Sequence, residues 1–303
     1  MKQIRNHFLI TWALLLLGFG LQSQMSASLK WWDPHAESTT AIGGRGWVTD
    51  LISPYDRLPS KAEAMVRKEV WNLSRHSAGL FIQFRSDAKQ IVVRYAVNAA
   101  VAMNHMPATG VSGLDLYARD AAGNWNWAPG TFRFGDTIVY TFPNLKWTGK
   151  EAEFRLYLPL YNSVKWLQIG IEEGDMLQPV PVRPEKPVVV YGTSIAQGGC
   201  ASRPGLAWTN ILARRLNNTV INLGFSGNGR LEDSMLNLLT EIDAAVYVLD
   251  CIPNLTALAT PGKTDLQTRI RNAVRILGSR RPGVPIILTE HSGGTAAFFM
   301  DSV

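Results

Sequence analysis

The pattern of apolar and polar positions changes once along the chain, near residue 178. Between Leu29 and Gly174, short apolar segments with partial alternation are separated by turns rich in Gly, Asn, Asp and Pro. Alternation with a period of two is typical of strands that bury one face. We therefore expect a jelly-roll-like β-sandwich over residues 29–177, with predicted strands at 79–85, 90–95, 114–118, 137–142, 153–158 and 163–172. Residues 61–71 are expected to be a short helix or irregular.

A proline-rich segment follows this half. Residues 178–187 contain four prolines in ten positions. Proline fixes φ and removes a backbone donor, so continuous regular structure is not expected here. We interpret the segment as the linker between two domains.

The pattern after the linker is one of buried strands alternating with amphipathic helices. It predicts strands at 188–191, 219–223, 245–250 and 285–289, and helices at 208–216, 232–242 and 264–277. This alternation favours a parallel sheet covered by helices on both faces. Residues 188–303 are therefore expected to form an α/β domain.

The first residues have the layout of a secretory signal. Lys2 and Arg5 precede the apolar run 8–21, and small and polar residues follow it up to Ser28. The alternative is a membrane anchor, but this run of fourteen residues is short against the roughly 20 that a spanning helix needs. We expect residues 1–28 to be a signal peptide, no stable membrane insertion after its removal, and a periplasmic or secreted protein.

The composition argues against nucleic-acid binding but does not distinguish other functions. The formal net charge is +6, but the Lys and Arg residues are dispersed, which indicates ordinary solvated surface rather than nucleic-acid binding. Cys200 and Cys251 are the only cysteines. Export permits a disulfide between them, and small buried residues are the alternative. No pattern of His, Cys, Asp or Glu predicts a metal site.

Three strand ends carry the candidate chemistry, because ligands bind beyond the carboxyl ends of strands in an open α/β sheet. Ser194 follows the strand 188–191, a glycine-rich loop that includes Gly227 follows the next strand, and Asn254 follows the third. Taken singly, each residue has a plain structural interpretation, as a helix cap or a turn residue. Together they supply a nucleophile and donors for a developing oxyanion.

The order and spacing of these segments resemble those of the SGNH, or GDSL-like, hydrolases. Residues 192–195 (Gly-Thr-Ser-Ile) are similar to the first block of that family, residues 222–227 (Asn-Leu-Gly-Phe-Ser-Gly) to the second, and Pro253-Asn254 to the third. Residues 113–117 (Gly-Leu-Asp-Leu-Tyr) resemble the GxDLY signature of an N-terminal β-domain found on one branch. The resemblance implies a flavodoxin-like SGNH sheet after the β-domain.

The resemblance also implies a reaction. Ser194 would be the nucleophile, and its own N–H, the Gly227 N–H and the Asn254 side chain would form the oxyanion hole. The implied activity is ester hydrolysis through an acyl-enzyme, with an acylated small molecule or glycan as substrate and no metal or organic cofactor. Acetyl groups on carbohydrate are our leading hypothesis for the substrate.

One part of the family pattern is missing. Family members carry a late Asp-x-x-His block, whereas Asp301 is followed only by Ser302 and Val303. We therefore expect the SGNH domain to be incomplete, without its fifth strand and closing helix. His291 and His105 are the candidates for a substitute base. If neither serves, the chain is expected to be inactive in this form, because a serine hydroxyl needs an adjacent base.

The runner-up hypothesis is a non-catalytic, exported glycan-binding protein. Four aromatic residues of the predicted β-domain could stack on sugar rings or could pack in turns and the core: Trp125, Trp127, Phe132 and Phe134. An unstable fragment with an uncovered sheet edge is a third interpretation.

Overall fold

The structure is a computed structural model that describes residues 28–37, 39–256 and 263–290. Residues 1–27 of the predicted signal, and His291, lie outside the described residues. The strands described are β1 Leu29–Trp32, β2 Ile42–Gly43, β3 Phe81–Ser86, β4 Ile91–Val97, β5 Asp115–Arg119, β6 Trp125–Ala128, β7 Thr131–Arg133, β8 Ile138–Phe142, β9 Ala152–Tyr157, β10 Val164–Glu172, β11 Leu177–Pro179, β12 Val188–Gly192, β13 Val220–Gly224, β14 Val246–Asp250 and β15 Ile286–Leu288.

Among the described residues, the α-helices are fewer than the strands. The α-helices described are α1 Pro34–Glu37, α2 Lys68–Ser74, α3 Ala108–Val111, α4 Ser194–Gln197, α5 Trp208–Leu216, α6 Asp233–Leu239, α7 Ile252–Thr256 and α8 Lys263–Arg280. Short 3-10 helices cover Thr39–Ala41, Ser60–Ala64 and Pro204–Leu206. In the described part of the chain, no helix combines the length and apolar character that a bilayer span requires.

Two antiparallel sheets occupy the first half of the chain. One has the strand order β1-β10-β4-β8-β7, and the other has the order β11-β3-β9-β5-β6, with β2 paired to β3. Burial alternates along β4 and β8, as the sequence pattern predicted. Side chains of both sheets share one apolar cluster, which includes Phe84 and Leu116 from one sheet and Val93 and Leu167 from the other. The predicted strands are thus confirmed as members of two antiparallel sheets, and their burial against one another supplies the first core.

The proline-rich segment is more ordered at its start than its composition predicted. Gln178 and Pro179 belong to β11, where they pair with Arg85 and Phe84 of β3. β11 lies at the edge of its sheet, and proline is tolerated at an edge because its missing N–H faces no partner strand.

A four-stranded parallel sheet follows, with the order β13-β12-β14-β15. All residues of β12 and β13 are buried, which explains why their sequences are apolar apart from Asn222. α5 packs on one face through Ala213, and α6 and α8 pack on the other through Leu236 and Leu277. The mixed α/β fold with a parallel sheet, predicted from the sequence, is confirmed. At the far edge, Ile287 and Leu288 of β15 are half exposed.

A segment from the first half of the chain packs against the parallel sheet. Leu58, Val70 and Trp71 are buried in the same cluster as Val189 and Ile221 of that sheet. Residues 61–71, expected to be helical or irregular, contain the end of a 3-10 helix and the start of α2. The second core is therefore built from two separate regions of the sequence.

The Arg57 side chain fixes this segment to the sheet. Its guanidinium, which is only 2% exposed, donates hydrogen bonds to the carbonyl oxygens of Asn222 (3.1 Å) and Gly224 (2.7 Å) in β13. It also donates to the carbonyl oxygens of Leu73 (2.6 Å) and His76 (2.8 Å) beside α2. Burial lowers the pKa of Arg57 to about 9, so the group is cationic at neutral pH.

Candidate active site

The register of the parallel sheet brings three loops to one edge. Gly192, the last residue of β12, is paired with Gly224 of β13 on one side and with Asp250 of β14 on the other. The three strands therefore end at the same level, and the loops that carry Ser194, Gly227 and Asn254 leave the sheet side by side.

Ser194 is the first residue of α4. The strand-to-helix turn is held by Thr193, whose N–H donates to the carbonyl oxygen of Asp250 (3.1 Å) and whose Oγ1 accepts the Ile195 N–H (3.2 Å). The Thr193 side chain thereby caps the helix. Ser194 itself is half-buried, and within the described residues its hydroxyl has no hydrogen-bond partner.

The glycine-rich loop needs small residues for two different reasons. A Cβ on Gly224 would lie 2.1 Å from the Gln197 nitrogen, and one on Gly229 would lie 2.3 Å from the Gly192 oxygen, so both allow close contact with the Ser194 turn. Gly227 instead has φ of +69° with open space around it, which is a conformation that other residues adopt at a cost. The loop is tied to β12 by the bond from the Phe225 N–H to the Gly192 oxygen (2.9 Å).

Asn254 lies on the short helix α7 after β14. Its Oδ1 accepts the N–H of Gly229 over 3.0 Å, which fixes the orientation of the amide group. The Nδ2 amino group is left as a donor without an acceptor in the described part of the chain.

Three hydrogen-bond donors without described partners thus surround this edge: the N–H of Ser194, the N–H of Gly227 and Nδ2 of Asn254. The first N–H groups of a helix have no intrahelical partner, which accounts for the donor at Ser194. Donors of this kind can bind an oxyanion where they converge on one point.

The described histidines do not complete the site. His105 is exposed in a tight turn between Met103 and Met106, and His291 lies outside the described residues. His76 is half-buried, but its Nδ1 contacts Nε2 of Gln197 (3.2 Å) rather than Ser194. Burial, aided by the charge of Arg57, lowers the pKa of His76 to about 4, so its imidazole is neutral at neutral pH.

Sequence reasoning missed three residues behind the site. The Tyr161 hydroxyl donates to the Ser194 carbonyl oxygen (3.1 Å), and Oε1 of the buried Gln197 accepts the Ser226 N–H (2.9 Å). His76 completes the set through Gln197. Gln197 could have been suspected from its place three residues after Ser194, but the other two are 118 and 33 positions distant from Ser194 in the sequence.

The aspartate of the GxDLY segment joins the β-sheet region to a loop that follows Ser194. Oδ2 of Asp115 accepts the Gly205 N–H (2.9 Å) and forms an ion pair with Arg203 (3.1 Å), and Oδ1 accepts the Trp127 indole N–H (2.7 Å). Burial raises the pKa of Asp115 to about 6, against the opposing charge of Arg203. The Arg203 guanidinium also covers the Trp127 ring at 4.2 Å.

The four candidate sugar-binding aromatics have different environments. Trp127 and Phe132 are about half exposed (49% and 50%) and line a cavity of about 210 Å³ together with Ser202 and Arg203. Trp125 is partly buried beneath Arg155, and Phe134 packs against the apolar core of the two sheets. Two of the four are therefore accessible to a ligand.

The two cysteines do not pair. Both are free: Cys251 is buried, as expected, whereas Cys200 is exposed and has a left-handed backbone conformation (φ +63°). Within the described residues no three His, Cys, Asp or Glu side chains are grouped as metal ligands.

Known protein families match both halves of the chain. Residues 29–177 match the profile described as GxDLY, the N-terminus of Esterase_SGNH_hydro-type, and residues 185–303 match that of the GDSL-like lipase/acylhydrolase family. Among curated proteins, no relative matches the chain.

Three solved structures are similar. A protein described as a GDSL-like lipase from Bacteroides ovatus ATCC 8483 is 30% identical, with a TM-score of 0.76 over 86% of this chain and 74% of that one. The salicylyl-acyltransferase SsfX3 from a tetracycline biosynthetic pathway is 19% identical (TM-score 0.66, 85% and 71% covered). The acetyl xylan esterase Est2A from the rumen bacterium Butyrivibrio proteoclasticus is 11% identical (TM-score 0.51, 90% and 85% covered).

SsfX3 and Est2A are similar to this chain in fold alone, whereas the Bacteroides ovatus protein is also similar in sequence. Together with the two matched profiles, it shows that the chain belongs to the GDSL-like lipase/acylhydrolase family, with the GxDLY region at its N-terminus.

Proposed function

We propose that the protein is a serine esterase in which Ser194 forms the acyl-enzyme. The observation that carries this proposal is the set of three donors without partners among the described residues, on Ser194, Gly227 and Asn254, at the level where β12, β13 and β14 end. Family membership supports it, since the reaction of the family is acyl transfer to or from an ester.

The reaction follows from this arrangement. Ser194 Oγ attacks the ester carbonyl carbon and loses its proton to a base, and the carbonyl oxygen becomes an oxyanion bound by the three donors. Each such donor is typically worth about 3 kcal/mol in the transition state. Collapse expels the alcohol, which takes up the proton, and water then hydrolyses the acyl-enzyme by the same route. This chemistry uses no metal or organic cofactor.

The base is the missing part of this proposal. His291 and His105 are the two candidates: His291 follows the strand β15, and His105 lies in the turn before Met106, whose side chain packs beside Tyr161. Without a base the oxyanion donors would remain, but the Ser194 hydroxyl would be a poor nucleophile.

The proposed substrate is an acetylated carbohydrate outside the cytoplasm. The signal-like N-terminus supports export. The accessible rings of Trp127 and Phe132, beside the loop that follows Ser194, support contact with sugar rings. We further infer that the two antiparallel sheets form a jelly-roll-like β-sandwich, that residues 178–187 link it to an SGNH domain over residues 188–303, and that this sandwich helps to hold the glycan.

Non-catalytic glycan binding is the second candidate function. It is favoured by the same exposed rings, together with the absence of a described base beside Ser194. The two functions differ in one requirement, because only the esterase needs a reactive Ser194.

Intact-mass spectrometry after exposure to a fluorophosphonate, which marks activated serines, distinguishes them. The esterase predicts one adduct that maps to Ser194 and turnover of p-nitrophenyl acetate, both lost in Ser194→Ala and retained in the control Ser279→Ala, which alters a serine on α8. A folded protein without an adduct contradicts the esterase. Glycan affinity that survives Ser194→Ala would then support the second candidate.

A further inference from the structure

The buried amide of Gln197 connects three segments behind the Ser194 turn. Its Oε1 accepts the Ser226 N–H over 2.9 Å, and its Nε2 donates to the Leu160 carbonyl oxygen over 3.1 Å. The same Nε2 lies 3.2 Å from Nδ1 of His76. Gln197 is fully buried, so all of its hydrogen-bonding capacity is directed at protein groups.

These contacts fix the state of His76. The Ser226 N–H can only donate, so the atom of Gln197 that it contacts must be the amide oxygen. Nε2 of Gln197 is then a donor, and Nδ1 of His76 must accept. The imidazole is therefore neutral and carries its proton on Nε2. Burial beside the Arg57 guanidinium favours the same neutral form.

Tyr161 contacts the two loops of the site from the same side. Its hydroxyl donates to the Ser194 carbonyl oxygen over 3.1 Å. The Ser226 side chain is near enough to oppose the rise in the pKa of Tyr161 that burial causes. The Ser194 oxygen accepts the N–H groups of Gly198 and Gly199 as well (3.1 and 2.7 Å). Tyr161 thus binds the nucleophile turn and lies near Ser226, the residue that precedes Gly227.

We propose that Tyr161, Gln197 and His76 are positioning residues, which hold the Ser194 turn and the Gly227 loop at one separation. This inference rests on the proposed function, because the separation matters only if an oxyanion binds between Ser194 and Gly227. Catalytic groups must be held to within roughly 0.5 Å of the productive geometry by the side chains behind them. None of the three residues touches the reacting atoms, so they act through Ser194 and Ser226.

The location of these residues gives the first half of the chain a role in the site. His76 and Tyr161 lie within the GxDLY region, residues 29–177, whereas Gln197 lies in the α/β half. The β-sheet region would then support the catalytic geometry directly, besides any contact with substrate.

Two conservative variants test the proposal in the full chain. Tyr161→Phe removes one hydroxyl and keeps the ring, and His76→Phe removes the Nδ1 acceptor and keeps a ring of similar size. Tyr247→Phe is the matched control, because its hydroxyl is also buried and donates to carbonyl oxygens, those of Leu239 (3.2 Å) and Ile242 (2.8 Å), at the other end of β14.

The first readout is amide hydrogen exchange by NMR, which needs no enzymatic activity. We expect exchange of the Ser226 N–H to become about tenfold faster in both variants, and that of Gly199 in Tyr161→Phe, with little change elsewhere. Tyr247→Phe should leave both amides unchanged. Unchanged exchange at Ser226, or a uniform increase over the parallel sheet, would overturn the positioning role.

The second readout is the rate of fluorophosphonate labelling of Ser194. We expect it to fall about tenfold in Tyr161→Phe and to be unaffected in Tyr247→Phe. A variant with faster exchange but an unchanged labelling rate also overturns the proposal, because the residues would then be structural only. If the unaltered chain is not labelled at all, that result counts against the esterase, while the exchange data still decide whether these residues hold the two loops.

Discussion

The indole N–H of Trp127 donates a hydrogen bond of 2.7 Å to the carboxylate of Asp115. The same carboxylate also binds Arg203 and the Gly205 N–H in the loop that follows α4. One buried acidic group therefore orients both an exposed aromatic ring of the β-sheet region and a segment of the α/β half.

Replacement of Asp115 should be costly for stability. Asp115→Ala leaves the Arg203 guanidinium and two N–H donors without their acceptor. Loss of one partner from a buried ion pair is expected to lower the free energy of unfolding by about 3 kcal/mol. Urea unfolding measures this free energy. The control is Asp136→Ala, which replaces an exposed aspartate. A loss below about 1 kcal/mol would mean that the contacts of Asp115 contribute little.

Arg57 should be hard to replace, even by lysine. Arg57→Met leaves four carbonyl oxygens without this donor, two of them in buried hydrogen bonds, and we expect a loss of at least about 3 kcal/mol in the free energy of unfolding. Arg57→Lys retains a charge but lacks the planar fork of donors, so its loss should be intermediate. Arg85→Met, at a half-exposed surface ion pair, should be nearly neutral. Equal stability of the Met and Lys variants would contradict this account.

His76 should make stability depend on pH. Its pKa is lowered on folding from the usual 6.5 to about 4, so the unfolded chain binds the proton more readily. The free energy of unfolding should therefore fall as the pH decreases from about 6.5 to about 4, by up to about 3 kcal/mol from this group. Arg57, Tyr161 and Gln197 are the groups that face it.

The measurement for His76 is a comparison of two pH series. The difference in unfolding free energy between the unaltered chain and His76→Phe should change across this pH range, which removes the contributions of other titrating groups such as Asp56 and Asp115. A difference that is independent of pH would show that the imidazole is already protonated, or already exposed, in the folded protein.

The two glycines of the oxyanion loop should differ in their tolerance of alanine. In Gly224→Ala the new methyl would lie 2.1 Å from a backbone nitrogen, so the loop must shift, at an expected cost of about 3 kcal/mol, and Ser194 labelling should be lost. In Gly227→Ala there is open space, and only the left-handed φ costs about 1 kcal/mol. Thermal unfolding and fluorophosphonate labelling check both, and an equal effect of the two changes would refute the contact argument.

The exposed aromatics give a prediction about ligand binding. Trp127→Ala should weaken affinity for the acetylated glycan of the proposed function about tenfold, since stacking and burial of one ring contribute about 1.5 kcal/mol. Trp166→Ala, which alters a ring of similar exposure (37%) on β10, is the control. Isothermal titration calorimetry compares them, and equal affinities would exclude Trp127 from a sugar site.

The parallel half could be predicted closely from the sequence. The structure places α5 at Trp208–Leu216, the predicted bounds, and the predicted strands there coincide with β12 to β15 within two residues at each end. Long buried runs and amphipathic helices carry their own periodic signal, because both faces of the sheet must be covered. The three strand ends, and so the neighbouring positions of the Ser194, Gly227 and Asn254 loops, followed from the same rule.

Other elements left no such signal. β6 and β7 were not predicted, because they are short and their side chains are mostly exposed, so no apolar alternation is required. The contacts of Tyr161 with Ser194 and of His76 with Gln197 join segments that approach only in the folded chain. Contacts between residues so far apart in the sequence depend on tertiary packing. The local pattern of apolar and polar positions carries no information about them.

The guanidinium of Arg57 has a practical consequence for anyone who wishes to exchange modules between enzymes of this kind. A fragment that starts at residue 185, where the second profile match begins, would leave behind the side chains that cover β12 and β13 and the cation that binds their neighbouring carbonyl groups. A chimaera joined at that point would pack the parallel sheet against residues 57–76 of a different protein. The segment that must be exchanged as one piece is therefore larger than the α/β half, because it includes residues 57–76 as well.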